Sequence, residues 1–385
     1  MIKKNIKLLA GAIVFCGTAT AYAGNYDLGP FKVSPVLSVN ETYDSNIYPE
    51  EKGNIDALIT KVAIGFNANT KLNERSSLKA SYLGQSLNYS VNSDDNNAWH
   101  DFLQAEYAVT LPRSASLTAS ETFMNTTDPA TSESDTRDKR IQNDLAVKFS
   151  APLKGKFGID VNINHELNDY RRDAAKNLDR YETKAGFELN YKWQPKTIFL
   201  AGYTYGNMNY EKEASSAADA NYHNIMLGVK GVLTGKLDYE VRGGVQLRNF
   251  SNSVESRNNN PAYFNYDGKI IYTPQQKVRM TLSMEKSTVD TVSYDNGSYE
   301  HTLFGLAMNR QFTSRLSAGW NASYTNNRYK ISARNDDITA LGVNAGYTIN
   351  SWLKSNCSYT FKHRASNNVE SYHDNIVSLG FTGTF

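Results

Sequence analysis

The sequence predicts an all-β fold, a transmembrane antiparallel β-barrel of about 18 strands, and three observations predict it. Apolar and polar residues alternate along almost the whole chain. The segments that connect the alternating stretches are short and long in turn. No apolar run beyond the first 23 residues could span a membrane as a helix, and the mean hydropathy is −0.54. A membrane barrel fits this average, because each strand needs only one apolar face.

The N-terminal segment has the pattern of a cleaved secretory signal. Lysines occupy three of the first seven positions, an apolar run follows over 8–16, and Ala-Tyr-Ala stands at 21–23. We therefore expect residues 1–23 to be a signal peptide and 24–385 to form a single barrel domain. Cleavage would change the formal charge from +2 to −1 and leave Cys357 as the one cysteine. A near-neutral chain gives no reason to expect nucleic-acid binding, and one cysteine cannot form an internal disulfide.

Two neighbouring segments, 157–169 and 180–193, show the alternation most clearly. In both, the odd positions are mainly apolar or aromatic, and the even positions are mainly charged, amide or glycine residues. Successive side chains of a strand point to opposite faces, so this pattern predicts strands between an apolar and an aqueous environment. A helix would distribute the charged residues of 180–193 around much of its circumference and leave no apolar stripe.

Similar segments fill the rest of the chain, and their even number predicts that both chain ends lie on the same side of the membrane. The alternation changes phase within 77–90, which predicts a β-bulge there. The short connections carry many Lys and Arg residues, whereas the long ones are rich in acids. The predicted strands are 31–44, 57–70, 77–90, 98–111, 115–124, 142–153, 157–169, 180–193, 198–210, 221–233, 237–249, 262–273, 278–290, 299–312, 316–329, 338–350, 353–364 and 372–385.

A soluble β-sandwich also has many short alternating strands, but two features favour the membrane barrel. Aromatic residues cluster near strand ends, as in the interfacial girdles of outer-membrane proteins. The C-terminus alternates up to Leu379, Phe381 and the terminal Phe385, an ending that resembles the signal recognised by the barrel-assembly machinery.

The polar face of the strands is expected to line the lumen. Charges of both signs are interleaved on it, so the sequence predicts cross-strand pairing and a hydrated track for a polar solute, and no ring of a single sign. Arg242, Arg248 and Arg279 could form a local basic patch, and the loop at 125–141 could plug the lumen. The candidate lumen residues are Lys184, Glu188, Asn190, Glu240, Arg242, Arg248, Arg279, Glu285, Lys362 and Arg364.

No catalytic, cofactor or metal site is predicted. The six histidines are scattered over six strands, and no nucleophile motif such as G-x-S-x-G is present. Oxygen-rich segments at 93–97 and 334–337 could bind calcium, but neither has EF-hand spacing, and solvated loops are the better interpretation. Four histidines are expected on the lipid-facing phase, near the outer rim: His165, His223, His301 and His373.

The start of the predicted barrel carries a family resemblance. A first strand leads into Tyr43-Asp44-Ser45-Asn46-Ile47-Tyr48, which resembles the opening of the beta-barrel porin 2 family. Overall length, strand count and terminal Phe385 are similar to that family across the predicted mature chain. The resemblance implies a barrel in the outer membrane of a Gram-negative bacterium. Several members are implicated in the export of capsular polysaccharide or exopolysaccharide with periplasmic export proteins.

The expected function is therefore a conduit for such a polysaccharide, driven by partners because the chain has no nucleotide-binding loop. A general or substrate-selective diffusion porin is the alternative. A structural or adhesive barrel and a barrel hydrolase are further alternatives. The expected partners are outer-membrane lipid, the barrel-assembly machinery, periplasmic export proteins and a polysaccharide.

Overall fold

Eighteen antiparallel strands close into a barrel, β2 to β19, in which each strand pairs with its neighbours in sequence. The computed structural model describes residues 26–49, 53–129, 137–211, 219–250, 262–291, 298–329 and 333–385. The predicted signal peptide lies outside these residues. The strands are β1 (Tyr26–Leu28), β2 (Phe31–Asp44), β3 (Ala57–Asn73), β4 (Ser76–Tyr89), β5 (Ala98–Thr110), β6 (Ser116–Thr126), β7 (Arg140–Pro152), β8 (Phe157–Tyr170), β9 (Arg180–Gln194), β10 (Thr197–Tyr210), β11 (Ala220–Thr234), β12 (Leu237–Phe250), β13 (Ala262–Gln275), β14 (Val278–Asp290), β15 (Ser298–Gln311), β16 (Leu316–Tyr329), β17 (Asn335–Thr348), β18 (Leu353–Ser366) and β19 (Tyr372–Thr384).

The barrel closes where β19 pairs with β2, in a register that runs from Ile376↔Asp44 to Thr384↔Val36. The last residue continues this seam, because the backbone N–H of Phe385 donates to the carbonyl of Pro35 at 2.9 Å. Short β1 folds back on the start of β2 and was not expected from the sequence. The start of β2 and the end of β19 therefore lie on the same side of the barrel, the side of the short turns, as an even strand count requires.

The predicted strand bounds agree closely with the structure. The strands at 31–44, 278–290 and 316–329 were predicted to the residue. The largest displacements are of three residues, at the end of β3 and at the start of β17. The bulge expected within 77–90 is wrong, because β4 pairs with β5 without interruption. The phase changes there because Leu87 and Tyr89 point inward and pack with Ile59 and Ile47 in an apolar cluster.

Contacts between distant strands identify the inner face of the wall. Arg242 on β12 binds Glu188 on β9, which requires reaching past two intervening strands and is possible only on the concave side. The strand registers then assign every other residue to one face. Large apolar side chains such as Ile163, Phe187 and Leu227 lie on the opposite face and are 42–66% exposed, as expected of a lipid-facing surface.

Long connections on one side of the barrel and short ones on the other complete the fold. Because outer-membrane barrels have short periplasmic turns and long external loops, we call the end with the short turns the periplasmic end and the other the outer end. The long connection after β8 contains a 3₁₀ turn (Asp173–Leu178), where the Lys176 ammonium lies 2.6 Å from Asp169 and 3.2 Å from Asp179. The hydrogen bond to Asp169 raises the pKa of Lys176. A four-residue helix, α1 (Ser93–Asn96), follows β4. None of the helices in the described ranges is long and apolar enough to cross a membrane.

One carboxylate lies on the lipid-facing side near the middle of its strand. Glu121 on β6 is paired across the sheet with Ala105 and Leu145, and its carboxylate accepts a hydrogen bond of 2.6 Å from Asn143. A charge at this depth destabilises a barrel.

We expect the double variant E121L/N143L to raise the free energy of unfolding in liposomes by about 1–2 kcal/mol, measured in urea. The single variant N143L should have the opposite effect, because it leaves the carboxylate without its donor. A double variant less stable than the native chain would contradict the assignment of this pair to the lipid-facing side.

Candidate transport lumen

All ten candidate lumen residues lie on the inner phase of their strands. They come from β9, β12, β14 and β18, and the registers link them through inward positions of the neighbouring strands. The structure brings only some of them together: Glu188, Glu240 and Arg242 form one cluster. Asn190 donates to Asp160 at 2.8 Å, and Lys362 and Arg364 lie over the ring of Tyr372.

Arg242 is the centre of a charged cluster on the described part of the inner wall. Its guanidinium lies 2.8 Å from Glu188, 2.6 Å from Glu240 and 3.2 Å from Asp267. Two of the nitrogens, Nε and Nη2, donate to the two carboxylate oxygens of Glu188. Asp267 stands on β13 directly opposite Arg242 in the register. One cation thus holds three carboxylates of three strands against the wall.

The basic patch predicted from Arg242, Arg248 and Arg279 is wrong. Arg242 is surrounded by acids, and Arg248 is fully buried near the outer end of β12, where it is paired with Asp290. Arg279 lies at the opposite end of the barrel, one residue after the periplasmic start of β14. Proximity in sequence could not show this, because successive strands run in opposite directions and place residues at different depths.

The outer end of the lumen is filled by inward side chains. Tyr222 covers Gly206, where a Cβ would be 2.1 Å from its ring, and its hydroxyl donates to Glu182 at 2.6 Å. The Arg248 guanidinium lies 5.5 Å from the Tyr222 ring. Close packing of this kind continues around the barrel. The side chains that are at most 2% exposed at this end include Met208, His100, Tyr299, Asn327 and Asp336.

The periplasmic half of the lumen is open by comparison. On β17, Asp336 and Ile338 near the outer end are buried, whereas Asn344 nearer the periplasmic end is exposed. Asn162 on β8 and Asn356 on β18 are likewise exposed inward residues. Inward side chains are therefore accessible to water in the periplasmic half of the lumen, which we call the vestibule, and packed against one another at the outer end.

Part of the loop proposed as a plug contacts the wall at the outer end of the barrel. Residues 130–136 of that loop lie outside the described residues, but Arg137 is described. Its guanidinium donates to the Tyr89 hydroxyl and to the carbonyl of Ile47 at 3.4 Å, and it lies 4.9 Å from the Tyr89 ring. The loop from β6 to β7 therefore reaches a side chain of β4 and the backbone of the connection after β2.

The two sides of the lumen differ in chemistry. The wall from β7 to β14 carries most of the inward charges, whereas the inward positions from β16 to β19 and into β2 are mainly hydroxyl and amide residues. Thr42 shows how these groups pair, because its hydroxyl lies 2.8 Å from Asn40 and 3.0 Å from Ser378. The neutral side includes Ser317, Asn321, Ser323, Asn344, Asn356, Ser358, Thr360, Ser378 and Thr382.

The histidines are distributed almost as expected. His165, His223 and His373 are exposed on the outer face, and the ring of His223 accepts from or donates to the Tyr203 hydroxyl at 2.7 Å. The prediction for His301 is wrong, because the side chain points inward and hydrogen-bonds Asn327 at 2.8 Å. The prediction treated odd-numbered positions as lipid-facing. That holds for β12, where even-numbered residues point inward, but in β15 the odd-numbered residues point inward.

Oxygen and nitrogen ligands do not assemble into a metal site in the part of the chain that the structure describes. Both acids of the 334–337 segment that was considered for calcium accept hydrogen bonds from protein donors, and Asp337 accepts one from Asn326 at 2.9 Å. Asp336 accepts from Arg334 at 2.6 Å and from the Ser366 hydroxyl at 2.6 Å.

Several lumen residues were missed in the sequence. Asp267 could have been found, because it lies on the inward phase of its predicted strand between inward Asn265 and Lys269. Asp290 could not have been found, since its partner Arg248 lies two strands away and the pairing depends on how the outer end folds inward.

Solved structures share this architecture at low sequence identity. The chain resembles the outer membrane protein OpdK of Pseudomonas aeruginosa, with a TM-score of 0.52, 10% identity, and coverage of 92% of this chain and 99% of that one. It resembles P. aeruginosa OccK2 (OpdF) in complex with glucuronate with a TM-score of 0.51 and 10% identity, over 94% of this chain and 100% of that one. It resembles Acinetobacter baumannii OccAB2 with a TM-score of 0.51 and 9% identity, over 92% of this chain and 98% of that one. These likenesses show the fold.

No curated protein matches the chain. The family model for beta-barrel porin 2 matches residues 21–385, which is nearly the whole sequence. This match includes the opening segment around residues 43–48 and the terminal Phe385 that carried the resemblance. The chain is an outer-membrane β-barrel and belongs to the beta-barrel porin 2 family.

Proposed function

We propose that this protein is a substrate-selective diffusion porin, which admits small polar solutes across the outer membrane. The observation that carries the proposal is the shape of the lumen: an open, polar periplasmic half leads to an outer end packed with buried side chains. A barrel of this strand number can hold an aqueous channel, and a narrow outer end would admit solutes by size and chemistry. Membership of this chain in a porin family supports a function in transport rather than in catalysis.

The packed outer end identifies the region that would set the size limit. The rings of Tyr299 and Tyr329 lie 4.9 Å apart, and both side chains are buried on the inner face. Replacing either ring by a methyl group removes volume from this region without adding a charge.

The test is the conductance of the purified protein in planar bilayers. We expect small, discrete steps in KCl that are reduced by added monosaccharides. The double variant Y299A/Y329A should show a larger conductance and admit larger sugars in liposome-swelling assays. Leu227→Ala, on the lipid-facing side, is the matched control and should leave conductance unchanged. A native protein that forms no channel would contradict the proposal.

Export of capsular polysaccharide or exopolysaccharide, with periplasmic export proteins as partners, is a second candidate. The neutral side of the lumen favours it, because hydroxyl and amide side chains from β16 to β19 offer hydrogen bonds that suit a sugar polymer. The packed outer end is a difficulty for it, since a polymer would need those side chains and loops to move. A strain lacking the gene should then lose one defined surface polymer, restored by complementation. An unchanged polymer profile would exclude this second function.

A further inference from the structure

The short turns form a basic rim around the periplasmic opening. The eight short connections between β3 and β18 contain eight basic residues and one acid, Glu74. All eight basic residues are exposed: Arg75, Arg113, Lys154, Lys156, Lys196, Lys236, Lys277 and Arg315. A solute that enters or leaves the vestibule must pass this rim.

The inner wall behind the rim carries further cations that form no ion pair among the described residues, although Glu240 stands opposite Lys230 and Lys269. Six of the inward basic residues that lie within one to six positions of the periplasmic end of their strands face the vestibule without an ion pair in the described part of the chain. None of the six has an ion-pair partner within the described residues, and five of them are exposed, Lys230 being half-buried. They come from six strands around the barrel and are Lys148, Lys192, Lys230, Lys269, Arg279 and Lys354.

The acids of this region are mostly engaged. Glu106 is paired with Lys79 at 2.8 Å, and Asp160 accepts hydrogen bonds from Ser150 and Asn190. The three acids around Arg242 share one guanidinium, so this cluster keeps two negative charges in excess. Asp238, and Glu285 opposite Asp267, are exposed inward acids without an ion pair in the described part of the wall. The eight basic residues of the rim and the inward cations without an ion pair outnumber these acids, so the charge that faces the vestibule water is mainly positive.

We infer that the channel selects anions, and that its solutes are small molecules carrying a carboxylate, phosphate or sulfate group. Cations on a narrow low-dielectric wall focus a positive potential into the water between them. That potential concentrates anions at the periplasmic vestibule and opposes the entry of cations. The inference deepens the proposed diffusion function and rests on it.

The sign of the selectivity can be measured directly as a reversal potential. The purified native barrel is inserted in a planar bilayer between two KCl concentrations, and we expect chloride to be several-fold more permeant than potassium. The triple variant K192Q/K269Q/K354Q should bring the permeability ratio towards one at nearly unchanged conductance. The matched control is R310Q: Arg310 lies near the periplasmic end of β15 but on the outer face, where it contacts Phe312.

Solute uptake gives a second, independent readout. Glucuronate and glucose differ in one carboxylate, and we expect proteoliposomes to take up glucuronate faster, with the difference lost in the triple variant. Cation selectivity of the native channel, or a ratio unaffected by the triple variant, would overturn the inference while leaving a diffusion porin intact. A protein that forms no channel would instead overturn the proposed function.

Discussion

Removal of the terminal ring by Phe385→Ala is expected to reduce the amount of folded barrel in the outer membrane more than any other single substitution. The Phe385 ring stacks on Trp352 with centroids 5.3 Å apart, and its backbone N–H bonds Pro35 at the seam. Packing of this kind contributes about 1–3 kcal/mol. A terminal phenylalanine also resembles the signal of the assembly machinery, so the same change removes both recognition and packing. Heat-modifiable migration of outer-membrane fractions on gels measures the folded fraction.

A partner substitution separates these two contributions. Trp352→Ala removes the ring on which Phe385 stacks and leaves the C-terminal residue in place. If recognition dominates, this variant should assemble at nearly native amounts, although with lower stability. Equal losses in the two variants would assign the effect to packing alone. Native amounts of folded F385A protein would contradict both roles.

The barrel could be predicted from the sequence because its strands are long and their two faces meet different environments. The alternation in 157–169 gave the bounds of β8 to within one residue. It also placed residues such as Lys184 and Glu285 on the correct phase, since strand period and lipid exposure are local properties. Where the lipid-facing phase is weak, as at His301, the same argument assigned the wrong face.

Contacts across the lumen could not be predicted, because they depend on closure, depth and register together. Arg242 meets Glu188 only because four strands curve enough to bring β12 and β9 within reach. The packed outer end has the same origin: Tyr222 can lie flat on the wall because Gly206 stands opposite it on β10. Neither residue alone signals a constriction in the sequence.

The Arg242 cluster leads to the second large expected effect. Arg242→Met would leave Glu188, Glu240 and Asp267 close together with no cation between them. Breaking a fully buried pair costs about 3–5 kcal/mol, but Glu240 and Asp267 are 43% and 46% exposed, so water would screen part of the repulsion. We expect a loss of about 1–3 kcal/mol in the free energy of unfolding at neutral pH.

A compensating substitution identifies the cause of that loss. Adding Glu188→Gln and Asp267→Asn to R242M removes the repulsion at neutral pH and should restore much of the stability. Lys354→Gln, which removes an inward cation that stands between Thr348 and Thr382 and has no ion-pair partner among the described residues, is the matched control and should change stability little. A loss in R242M that the double substitution of Glu188 and Asp267 does not rescue would mean that the methylene packing of Arg242, rather than its charge, holds this part of the wall together.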